Sequence, residues 1–402
     1  MRTFILRPRG AVEKLGVDLA YVSMDRARRA VHQQEWESNL NRDSGVVDLE
    51  RWRSDQNLPP TPINQSLERT ASGAMMVQVT EDGQELLESL PDNIEVFSDG
   101  PLSLLRSVHD GVVQPSLDLA DAGHLRALGV LDAAGARRGA TGQGVVAAII
   151  DSGIDTDHPA IKGRMRSEYV VQAGLLQYQK GRGDLLNHGT SVASLVSGGP
   201  CGVAPDVELI NINVFAGQEL LRSDMVSALG WLRRQPEVAL ANISAGFVGG
   251  VDRLLAEEVS ALVRIGMIPV AAVGNSGAQT FSPGNTRDVI SVGACEFLTT
   301  PEVVPMWSSR ASHGPAHDPY SVPRFLAPGV GVWCAVPGGG FMQRDGTSFA
   351  APLVTGIAAL LLEKHKRMIP VGEMLVLLAD SCRVLDGVKT LAQGMGLVQA
   401  LG

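Results

Sequence analysis

The chain has 402 residues, of which 45% are hydrophobic, and carries a formal net charge of −9. A chain of this length can bury a large core and has room for two or three domains. The acidic balance argues against a nucleic-acid-binding surface, and the four cysteines show no C-x-x-C spacing, which predicts reduced, mostly buried thiols and no metal site.

The first residues of the chain hold only a short apolar run, Phe4 to Leu6, between arginines. This run is too short for the apolar region of a secretory signal. The longest apolar run near the other end, 357–362, is closed by Glu363 and Lys364 and is far shorter than a membrane span. We therefore expect a cytoplasmic protein with no membrane partner.

The N-terminal part predicts a small α+β unit that ends near Leu105. Residues 41–72 show no clear period and have Leu-Pro-Pro-Thr-Pro-Ile at their centre, which favours a long loop or a partly disordered polar insertion. The predicted strands are 3–9, 74–80 and 93–99, and the predicted helices are 25–40 and 81–90.

Apolar runs alternate with helical segments after a connector, 106–141, that carries a helical piece at 125–134. Continuous apolar runs are typical of parallel strands buried on both faces, so the alternation predicts an α/β fold with a doubly wound, mostly parallel sheet. In such sheets functional residues collect at the carboxyl ends of the strands. The predicted strands are 144–150, 208–215, 238–244, 268–273 and 289–293; the predicted helices are 189–197, 223–234 with Ser223 as N-cap, and 251–265 with Gly266 as the residue after the C-cap.

Ser348 stands at the start of a strongly apolar helix, predicted over 348–364. Pro352 is compatible with this helix because we expect it in the first turn, where backbone N–H groups have no partner one turn back. The helix N-terminus would then present backbone donors and the positive end of the helix dipole beside the Ser348 hydroxyl. Taken alone, Gly-Thr-Ser before a helix is more typical of a helix cap than of a nucleophile.

Nucleophilic catalysis by serine also needs an imidazole, a carboxylate that fixes the imidazole tautomer, and donors for the oxyanion. Asp151 at the end of a predicted strand, His188 before Gly-Thr, and Asn275 between Gly274 and Ser276 supply candidates. Each has a simpler interpretation, since Asp151 and Asn275 could be turn formers and His188 a helix-start residue. Their joint occurrence with the Ser348 segment favours the catalytic interpretation.

The blocks Ile-Ile-Asp151-Ser-Gly-Ile-Asp-Thr-Asp-His-Pro, Asn-His188-Gly-Thr-Ser-Val-Ala and Gly-Thr-Ser348-Phe-Ala-Ala-Pro resemble, in this order, the catalytic blocks of the subtilisin-like serine proteases. Smaller matches, such as Gly-Val-Ala-Pro at 202–205, extend the resemblance over about residues 128–402. The resemblance implies that Ser348 is the nucleophile, that His188 is the general base and then the acid, and that Asp151 orients His188. It also implies an oxyanion hole formed by the Asn275 side-chain amide and the Ser348 backbone N–H.

The same resemblance implies that an extended polypeptide substrate lies as an added strand beside Ser244, Ala245 and Gly246, with Gly274 at the next strand end. The second flanking segment corresponds, less directly, to residues 215–217. Outside this context, glycines after strands are ordinary turn residues.

Residues 74–99 are similar to the inhibitory prosegment of the family. The resemblance implies that residues 1–118 form a prosegment-like domain, which packs on a catalytic domain over 119–402, inhibits it through its C-terminal tail and assists the folding of a slow-forming parallel sheet. Processing would fall between Leu105 and Ala120. The alternative is a permanent regulatory or partner-binding domain.

The predicted function is therefore that of a serine endopeptidase made as a zymogen and acting on polypeptides. Two alternatives remain open: a maturation or regulatory protease of narrow specificity that acts on one partner protein, and an inactive peptide-binding scaffold. No cofactor is expected. Residues 197–202 leave no room for the loop that binds calcium in many secreted relatives, so no metal is expected there.

Overall fold

The computed structural model describes residues 2–9, 38–39, 42–56, 74–79, 87–105, 107–132, 134–181, 183–216, 220–298, 301–366 and 369–400. Most of the two helices predicted over 25–40 and 81–90 lies outside these residues.

A small antiparallel sheet with one helix on its face forms the N-terminal unit. The helix corrects the expectation of a loop over 41–72 for its own residues, and residues 57–72 lie outside the described part of the chain. Val46, Leu49 and Trp52 are buried at helical spacing, a stripe too short to stand out among polar neighbours. The strands are β1 (Arg2–Pro8), β2 (Met75–Val79) and β3 (Ile94–Ser98), paired in the order β2-β1-β3, and the helix is α1 (Ser44–Asp55).

Two short strands that the sequence pattern does not indicate, β4 (Pro101–Leu104) and β5 (His109–Asp110), lead into the larger domain. Its elements, in chain order, are α2 (Gly123–Ala127), β6 (Val146–Asp151), β7 (Met165–Gln172), β8 (Leu175–Tyr178), α3 (Gly189–Ser197), β9 (Glu208–Asn213), β10 (Leu220–Leu221), α4 (Arg222–Leu232), β11 (Leu240–Ile243), β12 (Ala245–Val248), α5 (Arg253–Arg264), β13 (Ile268–Ala272), β14 (Phe281–Ser282), β15 (Ile290–Cys295), β16 (Ala311–His313), β17 (Tyr320–Val322), β18 (Phe325–Pro328), β19 (Val332–Ala335), β20 (Phe341–Asp345), α6 (Thr347–His365), α7 (Val371–Ser381) and α8 (Thr390–Gln393).

The central sheet has eight strands in the order β18-β15-β13-β11-β6-β9-β7-β8, and its pairs are parallel except for β7 with β8. Along β6, Ala147 and Ile149 face the layer that contains α3 and α6, whereas Ala148 and Ile150 face the layer of α4 and α5. Both faces of the sheet are therefore buried, and the predicted doubly wound α/β fold is confirmed.

Two predicted helix boundaries are wrong. The helix expected at 125–134 is α2, which ends at Ala127 because the chain turns through Gly129 in the left-handed region, with φ 69°. The N-cap of α4 is Leu221 and not Ser223. The N–H and hydroxyl of Ser223 instead donate to the Asp99 carboxylate at 2.9 and 2.8 Å, so the N-terminal unit caps this helix.

Helix α6 is buried from Thr347 to Leu362. Its length and composition would suit a membrane span, but 89% of its most apolar window is buried inside the fold, as in a core helix. Pro352 lies in its second turn and not in the first, so the Ser348 carbonyl loses the N–H that it would otherwise bind. That carbonyl accepts a hydrogen bond from the Ser244 hydroxyl at 3.4 Å instead.

The N-terminal unit contacts the larger domain through α4 and α5. Ile5 belongs to the same buried cluster as the inner residues of these helices. Arg7, which is fully buried, forms ion pairs with Glu95 in β3 and Glu257 in α5. Arg253 in α5 also pairs with Glu95, at 2.9 Å. The contact therefore combines an apolar patch with ion pairs between charged residues of the N-terminal unit and of the larger domain.

Candidate active site

Asp151 is the last residue of the central strand β6 and is fully buried. Its Oδ1 accepts hydrogen bonds from the Ser152 N–H at 2.7 Å and from His188 Nδ1 at 2.8 Å. Because the strands run parallel, the carboxyl end of β6 meets the loop that carries His188. Asp151 is thus placed to fix the ring orientation and the tautomer of His188.

His188 is the N-cap of α3 and follows Asn187, which adopts a left-handed φ of 56°. The imidazole is only 2% exposed and packs against the Phe349 ring, with centroids 5.4 Å apart. With Nδ1 held by Asp151, Nε2 is the atom that faces the cleft. It lies 3.1 Å from the carbonyl oxygen of Leu105.

A second buried carboxyl, Asp184, holds the loop before His188, and sequence reasoning missed it. It accepts hydrogen bonds from the Ser152 hydroxyl at 2.7 Å and from the Thr190 N–H at 2.9 Å. Burial raises the pKa of Asp184 above its ordinary value; these hydrogen bonds oppose the rise and the nearby Asp151 charge adds to it. The Asp-x-x-x-His spacing was the available signal for this role.

Ser348 is the second residue of α6 and is fully buried in this arrangement. Its hydroxyl donates to the carbonyl oxygen of Leu105 at 2.8 Å. The Ser348 hydroxyl and His188 Nε2 thus converge on one carbonyl oxygen, while Asp151 lies behind the imidazole. The three residues that the sequence pattern singled out are therefore brought together around a peptide group of the chain itself.

Asn275 lies beside the start of α6. Its Oδ1 accepts hydrogen bonds from the N–H and the hydroxyl of Thr347 at 2.9 and 2.8 Å. The Thr347 hydroxyl in turn accepts from the Gly274 N–H at 3.2 Å. With Oδ1 committed to Thr347, the amide presents Nδ2 as a donor near the N-terminus of α6. Thr347, which sequence reasoning missed, therefore orients Asn275.

Leu105 follows a strand, β4, that lies between two segments of the larger domain. Strand β4 pairs antiparallel with β12 on one side and with β10 on the other. The register pairs Leu104 with Ala245 and Ser103 with Gly246, and the Leu105 N–H donates to the Ser244 carbonyl at 3.4 Å. The chain here has the geometry of an extended peptide bound by strand addition.

Some of the predicted substrate-binding residues lie beside this strand and others do not. Ser244, Ala245 and Gly246 contact β4, whereas Gly274 contacts Thr347. On the other side β4 pairs with β10, a few residues after the expected segment 215–217, of which residue 217 lies outside the described residues. Gly246 is required by packing on its other side, because a Cβ there would lie 1.9 Å from the Ser282 carbonyl oxygen.

The chain continues along the far side of the cleft after Leu105. The Val108 N–H donates to the Asp345 carbonyl at 2.7 Å, and β5 pairs antiparallel with β20. Further along, the Gly111 N–H donates to the Gln343 carbonyl at 2.8 Å. The segment therefore occupies the cleft on both sides of Ser348 and His188. Within the described residues, no group of three or more His, Cys, Asp or Glu side chains could hold a metal ion.

Comparisons with known proteins identify similar sequences and a similar fold. The model of the subtilase family matches residues 142–396. A subtilisin-like protease of Coccidioides posadasii (strain C735) is 30% identical over 232 residues, which cover 56% of this chain and 54% of that protein. Subtilisin BL of Lederbergia lenta is 33% identical over 236 residues, which cover 57% of this chain and 80% of that protein.

The chain spans little more than half the length of the first of these relatives. Among solved structures, fervidolysin from Fervidobacterium pennivorans, a keratinolytic enzyme related to subtilisin, matches 100% of this chain and 60% of its own, with a TM-score of 0.71 and 19% identity. That likeness concerns the fold.

Proposed function

The chain belongs to the subtilase family, and on this basis we propose that it is a serine endopeptidase in which Ser348 is the nucleophile, His188 the general base and Asp151 the residue that orients His188. One observation carries the proposal. The Ser348 hydroxyl and His188 Nε2 meet at a single peptide carbonyl, which belongs to a strand held between two segments of the domain.

The proposed reaction begins when Ser348 Oγ attacks a peptide carbonyl carbon and its proton moves to His188 Nε2. Asp151 accepts the Nδ1–H at 2.8 Å, which leaves the Nε2 lone pair toward the cleft and stabilises the imidazolium that forms. His188 then gives the proton to the leaving amine. An acyl-enzyme remains, and water hydrolyses it with His188 again acting as base.

The oxyanion that forms in this step needs preorganised donors. We assign this role to the Asn275 Nδ2 and the Ser348 backbone N–H at the positive end of α6. In the arrangement described above, the Leu105 oxygen accepts from the Ser348 hydroxyl at 2.8 Å. In the proposed reaction, the oxygen of the attacked carbonyl lies against these donors while its carbon faces Ser348 Oγ.

We assign the N-terminal unit, within residues 1–118, the role of an intramolecular inhibitor. Its β4 strand fills the cleft as a substrate would, and the Leu105 oxygen takes the hydrogen bond that Ser348 would otherwise give to His188. The same contacts favour the Leu105–Arg106 bond as the site of processing. Arg106 itself lies outside the described residues.

The proposal is tested by labelling with a fluorophosphonate probe and by mass spectrometry of the purified protein. A new N-terminus at Arg106 and labelling after processing, both abolished in Ser348→Ala, are expected. An intact chain that is never labelled, even after removal of the N-terminal unit, would favour the inactive scaffold. Digestion of an unfolded test protein into many fragments would count against narrow specificity.

A further inference from the structure

Arg344 is a buried cation inside the cleft that the reaction described above does not use. It lies in β20, and its side chain is 7% exposed. The guanidinium packs over the Phe349 ring, 5.8 Å from the centroid, and Nη1 donates to the Asn187 carbonyl. The His188 ring packs against the same Phe349 ring, with centroids 5.4 Å apart. Arg344 is therefore fixed next to the catalytic imidazole.

One N–H of this guanidinium is buried without a hydrogen bond. Arg344 Nε makes none, and the nearest carboxylate oxygen to it is Asp110 Oδ1 at 3.3 Å. A buried N–H without an acceptor destabilises the site, and a buried cation is stable only beside a compensating anion. The arrangement therefore favours a carboxylate at the position that Asp110 occupies.

Asp110 belongs to the segment that lies in the cleft. Its backbone pairs with Arg344 where β5 lies along β20, on the leaving-group side of the Leu105–Arg106 bond. Asp110 is half exposed and reaches the cleft only because the chain from Ser107 onward follows β20. It is the fifth residue beyond the proposed cleavage site. A substrate that binds in the same way would place its own fifth residue there.

We propose that Arg344 is a specificity residue that selects an acidic side chain at the fifth position beyond the cleaved bond. This proposal rests on the endopeptidase function proposed above. The substrate class that it defines is an extended polypeptide with a carboxylate on the leaving-group side, and Asp110 fills the site in the unprocessed chain. Asp345 follows Arg344 in β20, so its side chain points to the opposite face of the strand, where its Oδ1 accepts from the Gly331 N–H at 2.7 Å.

The test uses the full chain and measures the first-order rate at which the Arg106 N-terminus forms. Asp110→Asn should lower this rate by about two- to fivefold and Asp110→Lys by more, since charge pairs near a surface contribute modestly. Asp118→Lys makes the same charge change on the exposed connector and should leave the rate unchanged. Because Asp110 is half exposed, these variants are expected to fold.

Exchanging the charges of Arg344 and Asp110 tests whether their attraction, and not the packing of either side chain, sets the processing rate. Arg344→Glu should slow processing, and the double variant Arg344→Glu with Asp110→Lys should recover to within about twofold of Asp110→Asn, at a rate that falls with added salt. Rates that do not respond to the charge at position 110, or a swap that recovers nothing, would overturn the subsite alone. Absence of any cleavage that depends on Ser348 would overturn the proposed function and the subsite together.

Discussion

The proposed oxyanion site can be tested at Asn275, because the two polar atoms of its side chain have different roles. Its Oδ1 accepts two hydrogen bonds from Thr347 at 2.9 and 2.8 Å, whereas Nδ2 is the proposed donor to the oxyanion. Asn275→Asp keeps an acceptor for Thr347 and removes the donor. Thr347→Val has nearly the same shape as the native side chain, removes one of the two hydrogen bonds and keeps the donor.

The two variants should differ strongly in turnover. Loss of one oxyanion donor costs about 10²–10³ in kcat, and the added charge of Asn275→Asp should bring the loss to the upper end of that range. Loss of one orienting hydrogen bond costs about 1 kcal/mol, or about fivefold, so Thr347→Val should lose far less. Asn275→Ala, which removes both functions, should fall within the donor range.

The assay is kcat and KM on an unstructured peptide, with the thermal midpoint of each variant as the control for folding. We expect kcat to fall and KM to change by less than about twofold, because the donor acts on the charge that develops in the transition state. Asn275→Asp with native turnover, or Thr347→Val as damaged as Asn275→Asp, would refute the assignment of Nδ2.

Other predictions concern the bound strand and the pH dependence of stability. Leu105→Asp should slow self-processing at least about tenfold, since the Leu105 side chain is 2% exposed and the variant would bury a carboxylate; a native time course by mass spectrometry would contradict this. In the Ser348→Ala background, Asp99→Ala should lower the free energy of unfolding by about 1–2 kcal/mol, because Ser223 loses its acceptor, and Asp99→Asn by less; equal losses would show that the cap is not responsible. Burial raises the pKa of Asp224 to about 6, so its stabilising contribution is full below pH 3.8 and is lost as pH rises through 6, a decrease of up to about 3 kcal/mol. Asp224→Asn should flatten this part of the denaturation profile between pH 4 and 7, and an unchanged slope would rule the interpretation out.

The five adjacent strands in the middle of the central sheet, β15-β13-β11-β6-β9, could be predicted from sequence because each is a mainly apolar run buried on both faces, as in Val146–Asp151, and this pattern needs no knowledge of the partner strand. The outer strands β7, β8 and β18 were not predicted, and β7 and β8 include exposed or polar residues. The meeting of Asp151, His188 and Ser348 at one edge of the sheet could be expected for a related reason. Each stands directly at the end of such a strand or the start of a helix, so the fold positions them without long loops.

The parts that could not be predicted depend on distant partners. Strand β4 is too short to show a period and is a strand only because β10 and β12 pair with it. Ser223 carries a typical N-cap side chain, yet Asp99 from the other unit is what satisfies it. No pattern in the sequence marks Arg344 as buried, and only its packing on Phe349 and its hydrogen bond to the Asn187 carbonyl show that it is.

The path of the chain along β20 has a consequence for how activity would begin. Residues 107–114 are joined to β20 through the Val108, Gly111 and Gln114 N–H groups, at 2.7, 2.8 and 2.7 Å. These hydrogen bonds do not involve the Leu105–Arg106 peptide bond, so they would survive its hydrolysis. The segment that follows the new N-terminus would therefore stay paired with β20. The pairing of β4 with β10 and β12 would survive as well. We therefore expect a lag between the first cleavage and full activity, which lasts until both segments dissociate from the cleft or are degraded.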